Sequence, residues 1–263
     1  MHAIWKGALS FGLVNIPVRV YSASLSRELK FKLLHKKDLG EIRYARICKT
    51  DGKEVPWEEI VKGYATQEGR YVIMTEEDFE KANLKKSRTI EILDFTDENQ
   101  IDTIYYDTPY YLEPEKSARA PYTLLFEALK RTKKVAVGRI VFHHKEHIGV
   151  IRVHENILVL HQLRYEGEIR NYKDLDIAKV PVTKTELAMA IQLIEARSKP
   201  FKPKDYSDSY TDEIRSIIKK KGKGEKISGK KERLKPTQNY DVLSLLKKSL
   251  EQPSKKSKRR KAA

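Results

Sequence analysis

The chain has 263 residues, of which 34% are charged, and a formal net charge of +16. It contains no run of the ~18 apolar residues that a membrane-spanning helix needs, and its first residues do not follow the pattern of a secretory signal. Cys48 is the only cysteine, which excludes an intrachain disulfide and a multi-cysteine zinc site. These features predict a cytoplasmic protein in a reducing compartment.

The positive charge is concentrated near the C-terminal end. Residues 219–263 hold seventeen Lys and Arg against four acidic residues, a charge of +13, whereas residues 1–218 carry only +3. A nearly neutral body with a polybasic tail favours a polyanionic partner, and DNA, RNA and an anionic membrane all fit. The alternative is a solvated tail that only aids solubility.

The first half of the chain has the pattern of short strands. Apolar residues alternate with other residues along 5–13 and again along 16–21, which predicts two half-buried strands. Asp51-Gly52 predicts a hairpin turn between 43–49 and 53–57. Further strands are predicted at 71–74, 88–95, 104–112, 135–143, 148–153, 157–165 and 169–172. So many short strands favour a barrel or a sandwich, in an α+β fold that is mainly β.

Helical spacing interrupts this pattern in the second half. Apolar residues recur every three or four positions after Pro121, and Thr183 with Glu186 forms a capping box before a second helix. A third, amphipathic helix follows Pro203 and is predicted to end at Gly222. Residues 219–236 are predicted to form a linker, 243–250 a last short helix, and the lysine-rich residues beyond Pro253 a disordered tail.

Several segments together resemble bacterial and archaeal Ku proteins. They include AIWKG at 3–7, LSFGLVNIPVRVY at 9–21, IEILDF at 90–95, YYLEP at 110–114, EIR at 168–170 and FKPKDY at 201–206. These segments cover most of residues 1–222 in the order expected for that family. The chain departs from the pattern at Asp51, where many relatives carry a second cysteine, so a plain Asp-Gly turn is expected there in place of a metal-binding knuckle.

The resemblance implies a DNA-repair function in non-homologous end joining. It implies a β-barrel core with a long arm, and a homodimer whose arms close a ring around double-stranded DNA ends without sequence specificity. It also implies recruitment of DNA ligase D, no catalytic site, no cofactor and association with the nucleoid. A single 263-residue globule has a radius of gyration of about 18 Å, comparable to the width of a duplex, so two subunits sharing the enclosure is the economical arrangement.

The resemblance also divides the chain into three parts. Residues 1–198 are expected to form the Ku core with the DNA-encircling arm, 199–222 a ligase-docking segment, and 223–263 the basic linker, short helix and tail. Exposed aromatic residues beside a short amphipathic helix are typical of a docking site for a protein partner, or of a segment that packs back on the core. The predicted docking residues are Phe201, Tyr206, Tyr210 and Ile214.

Basic residues around the Tyr122 helix are the predicted DNA contacts, because Lys and Arg bind phosphates without reading bases. In the body of the chain they are Lys116, Arg119, Lys130, Arg131, Lys133, Lys134, Arg139, Lys145 and Arg152, and in the tail Lys255, Lys256, Lys258, Arg259, Arg260 and Lys261. The alternative for the bases at the helix end is that they complement the helix dipole. Lys30, Lys32, Lys36 and Lys37 form a second candidate patch, for which a solvated surface is an equal explanation.

Other chemistry is weakly indicated. His143, His144 and His147 with Glu146 fit a surface turn better than a metal site, which needs three or four convergent ligands. Trp5, Tyr110 and Tyr111 fit core packing better than base stacking. The chain has no P-loop, G-x-S-x-G or H-E-x-x-H motif, and the acids between 94 and 107 fit a surface loop better than a two-metal nuclease. The sequence therefore predicts a binding protein rather than an enzyme.

Overall fold

A computed structural model describes residues 1–82, 88–142, 145–177 and 180–225. The chain divides into two compact units, Met1–Tyr172 and Lys173–Ala263. Within the described residues, no helix is long and apolar enough to cross a membrane. The three-part division derived from the sequence stays a prediction.

The first unit is built on a closed β-barrel. Its described strands are β1 (Trp5–Phe11), β2 (Val14–Ser22), β3 (Lys62–Ala65), β4 (Tyr71–Met74), β5 (Thr89–Asp97), β6 (Tyr106–Pro114), β7 (Lys134–Phe142), β8 (Lys145–His154) and β9 (Ile157–Leu163). The barrel order is β1-β2-β6-β9-β8-β7-β5, and β3 and β4 pair separately. β1 closes the barrel by pairing with β5 in parallel, whereas the other barrel pairs are antiparallel. The barrel confirms the predicted α+β, mainly β fold.

Alternating apolar residues fill the barrel. Leu9 on β1 and Ile16, Val18 and Val20 on β2 are fully buried, as the period-two pattern predicts. The prediction is wrong at Leu13, which is fully exposed in the turn between β1 and β2 instead of continuing a buried face. The turn is forced because β1 and β2 pair as a tight hairpin, with Phe11 opposite Val14.

Helix α1 (Glu76–Ala82) follows β4, and helix α2 (Arg119–Thr132) packs its apolar stripe against the barrel. The stripe is Tyr122, Leu125, Phe126 and Leu129, all buried. The Tyr122 hydroxyl is buried with them. It donates a hydrogen bond to the carbonyl of Leu112 at 2.8 Å and accepts one from the N–H of Leu158 at 2.8 Å. One phenol thus ties α2 to both β6 and β9, and burial raises its pKa.

Replacing Tyr122 by phenylalanine is expected to destabilise the barrel by about 1–3 kcal/mol, because two buried backbone groups lose a partner that water cannot replace. The free energy of unfolding in urea is the measurement. Tyr64→Phe, at an exposed residue of β3, is the control and should change it by less than about 0.5 kcal/mol. An unchanged stability for Tyr122→Phe would show that the bridge is not a structural tie.

Of the three aromatic residues predicted to pack into the core, Trp5 and Tyr110 do so. Trp5 meets Phe142 edge-on, with ring centroids 5.9 Å apart, and Tyr110 lies 5.4 Å from the same ring. The predicted strand at 169–172, in contrast, is wrong. Residues 169–171 lie between two 3-10 turns, Glu166–Glu168 and Tyr172–Asp174, and Tyr172 begins the second turn. β9 is already paired on both edges by β6 and β8, so the closed barrel offers no edge to a further strand there.

The segment between β2 and β5, which we call the arm (residues 23–88), has no buried side chain among its described residues. The β3–β4 hairpin and α1 lie within it. The Asp51-Gly52 turn forms as predicted: Gly52 has a φ of +71° and donates to the carbonyl of Cys48 at 2.9 Å. The flanking segments pair only through the single bridge between Ile47 and Glu54, so the two strands predicted there are not formed.

The second unit contains two described α-helices. α3 (Lys184–Arg197) begins with the predicted capping box, in which the Thr183 N–H donates to the Glu186 carboxylate at 2.9 Å and the Glu186 N–H donates to the Thr183 hydroxyl at 3.3 Å. α4 (Ser209–Gly222) ends at the predicted glycine. The predicted helix at 243–250 and the basic tail lie outside the described residues.

Candidate nucleic-acid interface

The C-terminal end of α2 places several basic side chains next to the barrel wall. Lys130 lies in the last turn of α2, and Lys133 follows it with a φ of +55°, the left-handed conformation that ends the helix. The chain then enters β7 at Lys134. Since Ala136 lies opposite Ile151 on β8, the start of β7 runs beside Arg152. The end of α2, the turn at Lys133 and the pairing of β7 with β8 thus bring together basic residues that are up to 22 positions apart in the sequence.

Four basic residues line one shallow depression. Lys130, Lys133, Lys134 and Arg152 surround a volume of about 230 Å³ whose remaining wall is Glu98, Leu129, Val135 and Val153. We call it the lysine depression. Leu129 and Val135 in its wall are buried. Lys130, Lys134 and Arg152 lie on α2, β7 and β8, and Lys133 lies in the turn between α2 and β7. Such a concave group of cations suits an anion with several oxygens, such as a phosphate.

Two acidic residues at the end of β5 form ion pairs with two of these four cations. Asp97 pairs with Lys134 at 2.8 Å, and Glu98 lies 3.6 Å from Arg152. Four bases against these two acids leave a local excess of two positive charges. A phosphate would compete with the carboxylates for the same cations, so binding there is expected to be weaker and more reversible than at unpaired cations.

The other predicted DNA contacts in the body of the chain lie elsewhere. Arg131 points along the exposed side of α2 toward Glu127, at 3.9 Å, and does not line the depression. Arg139 pairs with Glu91 at 2.9 Å and Lys145 with Glu168 at 3.3 Å, nearer the end of β7 and the start of β8. The hydrogen bond that the Arg139 guanidinium donates to the Glu91 carboxylate raises the pKa of Arg139.

The remaining predicted contacts fall in three further places. Lys116 and Arg119 are exposed at the opposite end of α2, about 20 Å along a 14-residue helix. In the arm, Lys32 is ion-paired with Glu41, and Lys30, Lys36 and Lys37 are exposed. The tail residues from Lys255 to Lys261 lie outside the described part of the chain.

The arm carries a large apolar surface that sequence reasoning did not single out. Fifteen large apolar side chains are exposed between residues 25 and 73: Leu25, Phe31, Leu33, Leu34, Leu39, Ile42, Tyr44, Ile47, Trp57, Ile60, Val61, Tyr64, Tyr71, Val72 and Ile73. Arg46 covers one of them, with its guanidinium 4.6 Å from the Trp57 ring. Exposed apolar side chains in such number are typical of a surface that contacts another molecule.

The predicted ligase-docking residues lie in the second unit. Phe201 and Tyr206 stack with centroids 5.3 Å apart, and Lys199 lies over the Tyr206 ring at 5.7 Å. Tyr210 and Ile214 stand one turn apart on α4. Phe201, Tyr206 and Tyr210 are exposed, whereas Ile214 is half-buried.

The histidine cluster gains no support as a metal site. His147 shares a 2.8 Å hydrogen bond with Gln162, and His143 and His144 lie outside the described residues. Across the part of the chain that the structure describes, no three His, Cys, Asp or Glu side chains converge.

Comparison with known proteins places this architecture in a family. Residues 10–189 match the model of the Ku70/Ku80 beta-barrel domain. The chain is 37% identical to the Non-homologous end joining protein Ku of Opitutus terrae, over all of this chain and 96% of the relative. It is 42% identical to the proteins of the same name from Archaeoglobus fulgidus and Desulfitobacterium hafniense, over 86% of this chain and 90% and 79% of those relatives. The closed barrel agrees with the matched family model. The family model and these relatives together show that the chain belongs to the Ku family.

Proposed function

We propose that this protein is a homodimeric clamp that binds double-stranded DNA ends without sequence specificity and acts in end-joining repair. The observation that carries the proposal is the arm, which exposes fifteen large apolar side chains between residues 25 and 73 and buries none of them. A second copy of the chain offers the same surface, and a twofold dimer buries both at once. The relatives' names supply the pathway.

The lysine depression gives this clamp its contact with DNA. Its lysines present point charges and no planar group arranged for base edges, which suits contacts to the phosphate backbone. Phosphate contacts supply affinity for any sequence, and the closed ring supplies the selection for ends, since only a free end can be threaded. Asp97 and Glu98 compete with phosphate for Lys134 and Arg152, which weakens these two contacts and favours a ring that slides inward after loading.

The aromatic residues of the second unit are proposed to recruit the ligase. Phe201, Tyr206 and Tyr210 stand exposed among charged residues, the composition of a hot spot for a protein partner. In this arrangement the protein contributes binding and position, and DNA ligase D contributes the chemistry. The protein itself acts without a catalytic site or cofactor.

A variant that ends at Gly222 separates this function from binding by the tail alone. It lacks fourteen basic and four acidic residues of the polybasic end. Under the clamp model the shortened protein still binds linear duplex, with a flatter dependence of affinity on salt because fewer counterions are released. The affinity measured from about 50 to 200 mM salt is the test. Abolished duplex binding would show a sequence-independent nucleic-acid binder that works through its tail.

A further inference from the structure

A second concave feature adjoins the lysine depression on the outer face of the barrel. It is a cleft of about 940 Å³ between the connection from β5 to β6 and the surface of β8 and β9. Glu98 and Arg152 line both the cleft and the lysine depression, so the two are neighbours with a shared wall. The volume lies within the range of about 300–1,000 Å³ usual for small-ligand sites.

The cleft has the chemical character of a site for a flat polar ring. The rings of Tyr106 and His161 meet edge-on in its wall, with centroids 5.3 Å apart, and Asn99 adds a side-chain amide. The Tyr106 hydroxyl is buried and has no hydrogen-bond partner among the described residues. A buried polar atom without a partner is uncommon and calls for one from outside the chain.

The charges of the cleft favour a neutral ring over an anion. Arg152, its cation, is 3.6 Å from Glu98 and donates from Nε to Nε2 of His161 at 3.1 Å. Burial, with Arg152 and His154 nearby, lowers the pKa of His161, so the imidazole is uncharged at neutral pH. The acceptor role of Nε2 toward Arg152 agrees with that state. Positive charge is therefore concentrated on the lysine side of the shared wall.

We propose that the cleft and the lysine depression together bind one unpaired nucleotide, with the base in the cleft beside Tyr106 and His161 and the phosphate on the lysines. Asn99 and the Tyr106 hydroxyl would hydrogen-bond the base edge, and Glu98 and Arg152 would lie at the sugar between them. The inference rests on the proposed function for its DNA source, an unpaired terminal nucleotide at a broken end. A free mononucleotide has the same chemistry.

The test compares full-length protein on three linear duplexes: blunt, with a four-nucleotide overhang, and with an overhang of abasic residues that keeps the phosphates but lacks bases. We expect the base-bearing overhang to bind about tenfold more tightly than the blunt end, as stacking of one base is worth ~1–3 kcal/mol. The abasic overhang should bind like the blunt end. In a separate arm, dAMP is titrated alone to detect the free nucleotide.

Three substitutions assign the effect to the cleft. Asn99→Ala and Tyr106→Phe remove hydrogen-bonding groups, and Thr103→Phe fills the cleft from an exposed position in its wall. Each should lower the overhang preference at least threefold and leave blunt-end affinity unchanged. Asn15→Ala, at an exposed asparagine of β2 outside the cleft, is the matched control and should keep the preference. Melting temperatures verify that each variant is folded.

The outcomes are distinct. If the unsubstituted protein prefers the overhang and the variants do not, the site binds an unpaired DNA end. If the unsubstituted protein shows no overhang preference but binds dAMP saturably, and the variants do not bind dAMP, the site binds a free nucleotide. Equal affinity for all three duplexes together with no dAMP binding overturns the inference while the clamp stands. Failure of the clamp itself appears differently, as equal binding of linear and closed circular DNA.

Discussion

Replacing Lys130, Lys133 and Lys134 together by alanine is expected to weaken binding to linear duplex about a hundredfold at moderate salt. The proposed dimer would lose six cations in this variant. Each lost cation would otherwise neutralise a phosphate, to a degree that depends on ionic strength. The dependence of log affinity on log salt should therefore become shallower by about one unit for each phosphate that is no longer neutralised. Fluorescence anisotropy of a labelled duplex over a salt series measures both quantities.

Arg131→Ala is the matched control for this experiment. Arg131 belongs to the same helix end, but its side chain is 84% exposed, lies toward Glu127 and does not line the lysine depression. We expect less than a threefold change in affinity. If Arg131→Ala weakens binding as much as the triple variant does, the bases at the end of α2 act as a diffuse positive surface, and the depression has no particular role.

Ile73→Asp is expected to weaken dimerisation by at least a hundredfold. Ile73 lies on β4 in the arm and is 59% exposed in the single chain, so an aspartate there does not disturb the chain's own core. In the dimer it would place an unpaired charge in an apolar contact, twice by symmetry, at a cost of about 3 kcal/mol or more. Sedimentation equilibrium should then give the 30.6 kDa mass of one chain in place of twice that value.

Gln67→Asp adds a charge to the same hairpin, in the exposed turn between β3 and β4, and serves as the control. It should leave the mass and the DNA affinity unchanged. Since a monomer cannot close a ring, Ile73→Asp should also abolish the retention of protein on linear DNA. A variant that remains dimeric and binds normally would show that the arm is covered by something other than a second copy of the chain.

The sequence predicts those parts of the fold that depend on local patterns. The alternation in β1 and β2, the capping box at Thr183 and the end of α4 at Gly222 each depend on residues within a few positions of one another. The closure of the barrel by the parallel pairing of β1 with β5 does not, because it joins residues about 80 positions apart. The strand wrongly predicted at 169–172 has the same cause. In the closed barrel β9 is already paired on both edges, and the local sequence does not show that no free edge remains for another strand.

The candidate site shows the same limit. The bases at the end of α2 are visible as a cluster in the sequence, but the addition of Arg152 and the exclusion of Arg131 follow from the strand register and the helix face. In the sequence, Asp97 and Glu98 have the pattern of surface residues. In the folded barrel they form ion pairs with Lys134 and Arg152. The exposure of the arm has no local signature in the sequence, because it depends on which parts of the folded chain leave these apolar side chains uncovered.

Competition between linear and covalently closed circular DNA decides whether the protein is a threaded clamp. Labelled linear duplex bound to the full-length protein is challenged at fixed salt with equal masses of unlabelled linear and circular DNA. A ring that threads over ends requires that only the linear DNA competes, and that longer duplexes take up several dimers each. If circles compete as well as linear DNA, the protein binds polyanions without regard to ends, and the clamp is contradicted.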